Sequence, residues 1–373
     1  MAEKHLHIVC LNVPYPVDYG GVFDLFYKVK ALHEKGIRIF LHCFEYGRGE
    51  QPALAAYCEK IFYYKRDAGL SGLSLTLPYI VNSRRDPRLL KNLSQDDHPI
   101  LLEGIHCTYF LNKGKLQGRK VIVRLHNVEY EYYGQLYHSE RSLFKKMYFI
   151  FESILLKKYE RKIRNAAIFL TVSEKDALTY KNLGAVNVAY LPVFMPFRTV
   201  NIQDGSGNYC LYHGNLSVAE NEKAVLWLIK NVFSNNVVPL KIAGKNPSEN
   251  LMQEIKKYNN VSLRANPDDE SMKQLISEAH INILPSFNAT GVKIKLINAL
   301  FTGRHCIVNN QAVEASGLAI LCRIANTPSA VQKAISALMP VAFSEAEINK
   351  RKQLLENTYS NSANADELIR VIY

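Results

Sequence analysis

Short apolar runs rich in β-branched residues alternate with helical patterns from one end of the chain to the other. That alternation is the signature of parallel sheets covered by helices on both faces. In the first half the pattern predicts strands over residues 5–13, 38–44, 61–64, 100–103, 120–125, 167–172 and 188–191, with a first helix over 22–35 closed by Gly36. These elements describe one doubly wound α/β domain. Residues 199–208, TVNIQDGSGN, have no periodicity and interrupt the series. A second set follows, with strands over 209–212, 239–243, 261–263 and 281–284 and helices around 223–232, 249–258 and 269–280. The architecture of the first half is thus repeated, and open sheets of this kind bind ligands at the carboxyl ends of their strands. Residues 141–164 are predicted as one long helix, and 345–373 read as helix.

A length of 373 residues suits two domains. Hydrophobic content of 48% and charged content of 21% exclude disorder for the chain as a whole. The net charge of +12 points to an anionic partner: a nucleotide, a nucleic acid or an acidic membrane surface. The basic residues are dispersed and no recognition motif accompanies them, which argues against nucleic acid. The seven cysteines are scattered, odd in number and never paired as C-x-x-C, a pattern of a reducing compartment rather than of a disulfide or zinc framework. The chain enters strand-like sequence directly from MAEKH, and no segment offers roughly 20 uninterrupted apolar residues. The expected location is the cytoplasm, including the cytoplasmic face of the membrane.

Residues 281–308, INILPSFNATGVKIKLINALFTGRHCIV, carry the most chemistry. They read as an apolar strand, a turn around 285–288, a Gly291 entry into an amphipathic helix, then Gly303 and another strand. A helix start presents unpaired N–H groups and a positive dipole end, so Gly291, Val292 and Lys293, with Lys295 beyond, suit a diphosphate. As a bland alternative, both lysines fit the solvent face of a helix. Lys245, after the 239–243 strand, is a further cation by position, and equally a solvated surface lysine.

In the first half, PYPVDYGG places Gly20 and Gly21 at the first helix without GxGxxG spacing, so no dinucleotide fingerprint is present. VIVRLHNVEYEYYGQLY reads as a strand releasing His126, Asn127 and Glu129 into a loop crowded with Tyr130, Tyr132 and Tyr133. Amides and carboxylates there would hold sugar hydroxyls, and flat rings the C–H faces. LLEGIHCTYFL offers Glu103, Gly104 and His106 at the same sheet edge, as an acceptor lining or as a helix start with a buried histidine. TVSEKD reads as a strand passing into a Ser-capped helix. Asp96–Asp97 and Asp268–Asp269 are not D-x-D pairs, and the second precedes a helix as its cap and first turn. In the 141–164 helix, Leu143, Met147, Ile150 and Ile154 form a stripe that ends in Lys157, Lys158, Arg161, Lys162 and Arg164. Ordinary packing with a basic end and contact with anionic lipid headgroups both fit.

The 281–308 stretch resembles the donor-binding signature of glycosyltransferase family 4. In that family a Pro-Ser strand end, a loop, a Gly, a helix ending in Asn-Ala or Glu-Ala and a further Gly recur in this order. The resemblance extends over nearly the entire chain and implies the GT-B fold, two Rossmann-like domains facing each other across a cleft. Residues 1–198 would form the acceptor-side domain, 199–355 the nucleotide-sugar domain, and 356–373 a helix returning to the first. It implies transfer of a hexose-type sugar from a nucleotide-sugar donor to a glycan or lipid-linked acceptor, with retention, in cell-surface polysaccharide or glycoconjugate synthesis. No cofactor or obligatory metal is implied. Gly20 and Gly21 would let the backbone approach donor phosphate and acceptor, and His126 would contact the transferred sugar and its phosphate.

LYHGNLSVAENEKAVLWL resembles the first strand and helix of the family's second domain, with Gly214, Asn215 and Asn221. Many relatives place an Arg or Lys near this turn, where this chain has His213 and Asn215. The family's two glutamates, eight positions apart, are replaced by Thr290 and Asn298. A short hydroxyl loses charge-assisted bonding, whereas an amide oxygen still accepts from ribose hydroxyls at roughly half the strength. Reduced donor affinity or altered donor choice is the expectation. Two other readings stand beside transfer: a non-catalytic sugar-nucleotide or glycan-binding protein derived from the fold, and a nucleotide-sugar epimerase.

Overall fold

The structure, a computed structural model, describes residues 3–17, 20–140 and 142–373. The chain forms two compact units, residues 1–196 with 359–373, and residues 197–358. Every strand pair within the two sheets is parallel. In unit 1 the strands are β1 (His5–Cys10), β2 (Arg38–Glu45), β3 (Lys60–Lys65), β4 (Ile100–Glu103), β5 (Val121–Leu125), β6 (Ile168–Thr171) and β7 (Val188–Tyr190). Their order across the sheet is β3-β2-β1-β4-β5-β6-β7. Unit 2 repeats it with β8 (Cys210–His213), β9 (Leu240–Gly244), β10 (Val261–Ala265), β11 (Ile281–Ile283), β12 (His305–Val308) and β13 (Arg323–Ile324), ordered β10-β9-β8-β11-β12-β13. Both orders reverse direction once, between β1 and β4 and between β8 and β11. At such a reversal the connections diverge to opposite faces and leave a crevice at the strands' carboxyl ends.

The central strands read as near-continuous apolar runs because both sheet faces are covered. In unit 1 one cluster holds Ile8, Val22, Leu25, Val29, Leu41 and Phe194, and another, on different side chains of the same strands, holds Val9, Leu102, Val123 and Phe169. The helices that matter for the sites are α1 (Gly20–Glu34), α2 (Glu129–Ser139), α3 (Leu143–Ile163), α4 (Glu174–Asn182), α5 (Ala219–Leu228), α6 (Ile294–Thr302), α7 (Glu345–Thr358) and α8 (Asn361–Ile372). The sequence expectation of helix over 345–373 resolves into α7 and α8, separated at Tyr359–Ser360 and with Ser360 capping the second. Helix α8 buries Ala365, Leu368 and Ile372 in the unit 1 core, and Lys35 at the end of α1 reaches Asp366 at 2.7 Å.

The tyrosine-rich segment expected as a loop is instead helix α2, which packs on α3. Its tyrosines are spaced to serve that contact: Tyr130 and Tyr133 pack on the core, and Ser153 of α3 donates to Tyr130 O at 2.7 Å. Ser173 caps α4 through the Asp176 N–H, and Asp268 caps the helix that follows it through the Ser271 N–H, as their positions predict.

Candidate functional site

In unit 1 the carboxyl ends of β4 and β5 meet α1 in a buried charge network. Strand β5, VIVRL, is buried at all five positions and carries Arg124 into the interior. Its guanidinium grips Asp24 of α1 with two bonds of 3.1 Å. The remaining donors reach the carbonyls of Leu191 (2.6 Å) and Pro192 (2.9 Å), so Arg124 also anchors the segment after β7. Lys28, one turn beyond Asp24, lies 2.7 Å from that carboxylate and 2.8 Å from Glu103 at the end of β4. His126, just past β5, places Nε2 3.0 Å from the other oxygen of Glu103. Against a carboxylate acceptor Nε2 donates, and Nδ1 lies 3.9 Å from Asp24.

Burial alone would push the Asp24 carboxyl up, but Arg124, Lys28 and His126 outweigh it and hold the group well below the usual carboxylate range. Asp24, Glu103 and His126 lie close enough together to suggest a metal site. Lys28 and Arg124 already supply the positive charge those carboxylates need, so the chemistry is that of a neutralised ion network. The sequence reading found Glu103 and His126 but missed Asp24, Lys28 and Arg124. The visible signal was charge inside apolar patterns, an Arg in VIVRL and an i,i+4 Asp-Lys pair on the core stripe of α1.

The other unit 1 residues divide. His106 is half-buried, and burial first, then the neighbouring Arg84, keeps it well below the usual histidine range. Gly104, with φ of 76°, must be bare, because a Cβ there would stand 2.8 Å from His106 Nδ1. Glu129 is turned inward instead. Burial pushes its carboxyl up to about 7, against the pull of Asn127 and Arg84. Asn127 and Glu129 therefore serve each other at the start of α2, apart from the Glu103–His126 pair. Gly20 and Gly21 open α1 and so set the height at which Asp24 and Lys28 enter the core. Part of the loop before them, residues 18 and 19, lies outside the described residues.

In unit 2 the equivalent crevice is bridged by three side chains from three elements. Lys295 of α6 donates to the Tyr212 hydroxyl of β8 at 2.9 Å and to Asn221 Oδ1 of α5 at 2.7 Å. Burial pushes its ammonium down to about 8, with Glu220 pulling up and Lys293 down. Asn221 also donates to the Asn215 carbonyl at 2.8 Å, which fixes the turn after β8. Gly214 sits at the centre of this turn: a Cβ would stand 3.4 Å from Asn221 Nδ2 and 3.6 Å from Lys295 Cδ. Gly244, which the sequence reading passed over, closes the same turn from below, since a Cβ on it would collide with the Gly214 carbonyl and stand 2.8 Å from Leu216 Cγ.

Gly291 was expected to start the helix, but α6 begins three residues later, at Ile294. Gly291 has φ of 67°, a left-handed conformation no helix interior uses, and the chain needs residues 291–293 to turn into the axis. Val292 and Lys293 belong to this turn, with the Lys293 ammonium 2.8 Å from the Thr290 carbonyl. Thr290 is buried and donates to Asn288 Oδ1 at 2.7 Å. Asn298, one turn into α6, accepts from Thr302 at 3.4 Å. Lys245 is exposed, so Lys295 rather than Lys245 is the cation built into the crevice. His213 is buried and pushed down to about 3, first by burial and then by Lys295, so it is a neutral imidazole.

Comparison with known proteins agrees with this fold. Residues 207–340 match the family described as "Glycosyl transferases group 1". Over its full length the chain superposes on TarM with a TM-score of 0.69 at 9% identity, covering 100% of this chain and 99% of that one. WaaG, a glycosyltransferase involved in lipopolysaccharide biosynthesis, matches with a TM-score of 0.65 at 13% identity, covering 98% and 99%. HepE of Anabaena, solved in complex with UDP, gives 0.65 at 10% identity, covering 99% of each chain. In sequence, the chain is 26% identical over 328 residues to an uncharacterized 44.6 kDa protein in the cps region of Klebsiella pneumoniae, 83% of this chain and 84% of that protein. The chain thus has the GT-B fold, and the part of unit 2 over residues 207–340 matches the glycosyl transferases group 1 family.

Proposed function

We propose that the protein transfers a sugar from a nucleotide-sugar donor to a glycan or lipid-linked acceptor in polysaccharide assembly. The observation that carries this reading is Lys295, a buried cation held between Tyr212 and Asn221 at the reversal point of the unit 2 sheet. A lysine kept there against its desolvation cost, beside bare backbone at Gly214, suits a diphosphate leaving group. The UDP bound by HepE, the lipopolysaccharide pathway of WaaG and the cps origin of the Klebsiella relative support the same class of donor and product. In unit 1, His126 is the partly exposed group at the strand end that can meet a sugar hydroxyl, and buried Glu103, held by Lys28, orients its ring. A hexose donor and retention of configuration follow from the resemblance to family 4. A place at the cytoplasmic face of the membrane fits such an acceptor.

The positions of both family glutamates favour a second reading. Thr290 and Asn298 are each satisfied by a neighbour in their own segment, Asn288 and Thr302, as expected of positions that no longer hold a ligand. A sugar-nucleotide-binding protein without catalysis would look the same there. Incubation with radiolabelled nucleotide sugars, with and without a lipid-linked saccharide fraction, separates the two. Transfer to the fraction establishes the enzyme. Binding with neither transfer nor hydrolysis establishes the binding protein, and release of an epimerised donor without acceptor would overturn both.

A further inference from the structure

Helix α3 presents an outward face that no other element among the described residues covers. Phe144 is 84% exposed, Met147 69% and Leu143 80%, and Phe151 and Ile154 continue the same stripe at half that level. The spacing of three and four residues carries the stripe on to Lys158 and Arg161, so the apolar half and the basic end lie on one side of the helix. Both acidic residues of α3, Glu152 and Glu160, are buried, and its exposed charges at Lys145, Lys157, Lys158, Arg161 and Lys162 are all positive. A solvated helix would mix the two signs.

A second exposed apolar element of unit 1 is tied to α3 through Tyr79. Residues 70–75 expose Leu70 (86%), Leu73 and Leu75 (85%). The segment is ordered: a short 3-10 turn covers Gly69–Gly72, the Ser74 hydroxyl accepts from the Thr76 and Leu77 N–H groups, and Leu77 packs on the core. Tyr79 fastens it to α3, with its hydroxyl accepting from the Gly69 N–H at 3.0 Å and its own N–H donating to Glu152 at 2.8 Å. The leucines are thus held outward by hydrogen-bonded backbone. Arg85, which bonds the Ser71 carbonyl at 3.1 Å, adds an exposed cation at the same place.

We infer that this face of unit 1 seats on an anionic lipid bilayer. Leu70, Leu73, Leu75, Phe144 and Met147 would enter the acyl boundary while the basic end of α3 lies among the headgroups. Apolar side chains without a groove match a fluid hydrocarbon surface better than a folded partner, and uniform positive charge selects anionic headgroups. The inference does not depend on the donor site, because the face would bind lipid whether or not unit 2 binds a nucleotide sugar.

The test is co-sedimentation of the full chain with vesicles of phosphatidylcholine alone and of equal phosphatidylcholine and phosphatidylglycerol, at low and high salt. The wild type is expected to pellet with the anionic vesicles and to be released by salt. Leu75→Ser with Met147→Ser, and separately Lys157→Glu with Lys158→Glu and Arg161→Glu, should each weaken partitioning at least tenfold. All these side chains are exposed, so unchanged thermal melting and unchanged nucleotide-sugar binding are expected and show that the variants are folded. Failure of the wild type to bind anionic vesicles at low salt would overturn the inference. So would a concentration-dependent dimer in sedimentation equilibrium that Leu75→Ser with Met147→Ser dissociates, since a second copy would then cover the face.

Discussion

Lys295→Met separates what the buried cation does for a ligand from what it does for the fold. In the folded protein burial brings the ammonium from 10.5 down to about 8, which corresponds to roughly 3 kcal/mol of strain on the charged form. Between these values the unfolded chain binds the proton and the folded chain does not, so wild-type stability rises with pH across about 8 to 10.5, and the Met variant lacks that rise. Removal of the ammonium relieves the strain but takes a donor from Tyr212 and Asn221, at about 1–3 kcal/mol each. The cost falls near the lower end, since the Tyr212 hydroxyl can still donate to Asn221 at 3.2 Å. Stability at neutral pH should therefore move by no more than about 2 kcal/mol. Donor binding should suffer far more: one charge-assisted bond to a diphosphate is worth about 1.5–3 kcal/mol, a loss of roughly 10- to 150-fold in affinity. Calorimetric titration with nucleotide sugars and nucleoside diphosphates at about pH 7 and 9 reads both effects. Wild-type affinity should fall at the higher pH and the variant's should not. Equal affinities for wild type and variant would refute the assignment of Lys295 to the diphosphate.

Three further outcomes follow from the same contacts. Asp24→Asn breaks the ion network from its centre and should cost about 3–5 kcal/mol in urea melts near neutral pH. Because the Asp24 carboxyl is held below its unfolded value, its stabilisation is present above about pH 4 and is lost as pH falls through the lowered value, so the variant's stability should decline less steeply in acid. Gly244→Ala drives a methyl into the Gly214 carbonyl and should displace the turn that holds Asn215, with lowered thermal stability and weaker nucleotide-sugar binding together. Thr290→Glu restores the family carboxylate: increased transfer would identify a weakened enzyme, and binding with continued absence of transfer would identify a binding protein.

The fold was legible because local pattern and global architecture agree. Strands such as Ile100–Glu103 and Val188–Tyr190 are short apolar runs bounded by turn residues, and their boundaries are close to those read from sequence. Helix α2 was not legible, since its tyrosines look like a polar loop until α3 packs against them. At the sites, His126 and Glu103 stand out as polar groups at strand ends. Asp24 and Arg124 are 100 residues apart, and only the fold joins them. Lys295 misled for a physical reason as well: a lysine beside an amphipathic stripe usually points to solvent, and only Tyr212 and Asn221, brought from β8 and α5, turn it inward.

The central claim is that the unit 2 crevice binds a nucleotide sugar through its diphosphate, and a thermal-shift panel of nucleotide sugars on the full chain tests it most directly. At a ligand concentration of about 100 times Kd the native state gains roughly 2.7 kcal/mol, which raises Tm by roughly 5–10 °C for a domain of this size. The account predicts such a shift for at least one nucleotide sugar and its near disappearance in Lys295→Met. A wild-type Tm unmoved by every nucleotide sugar and nucleoside diphosphate in the panel would contradict it.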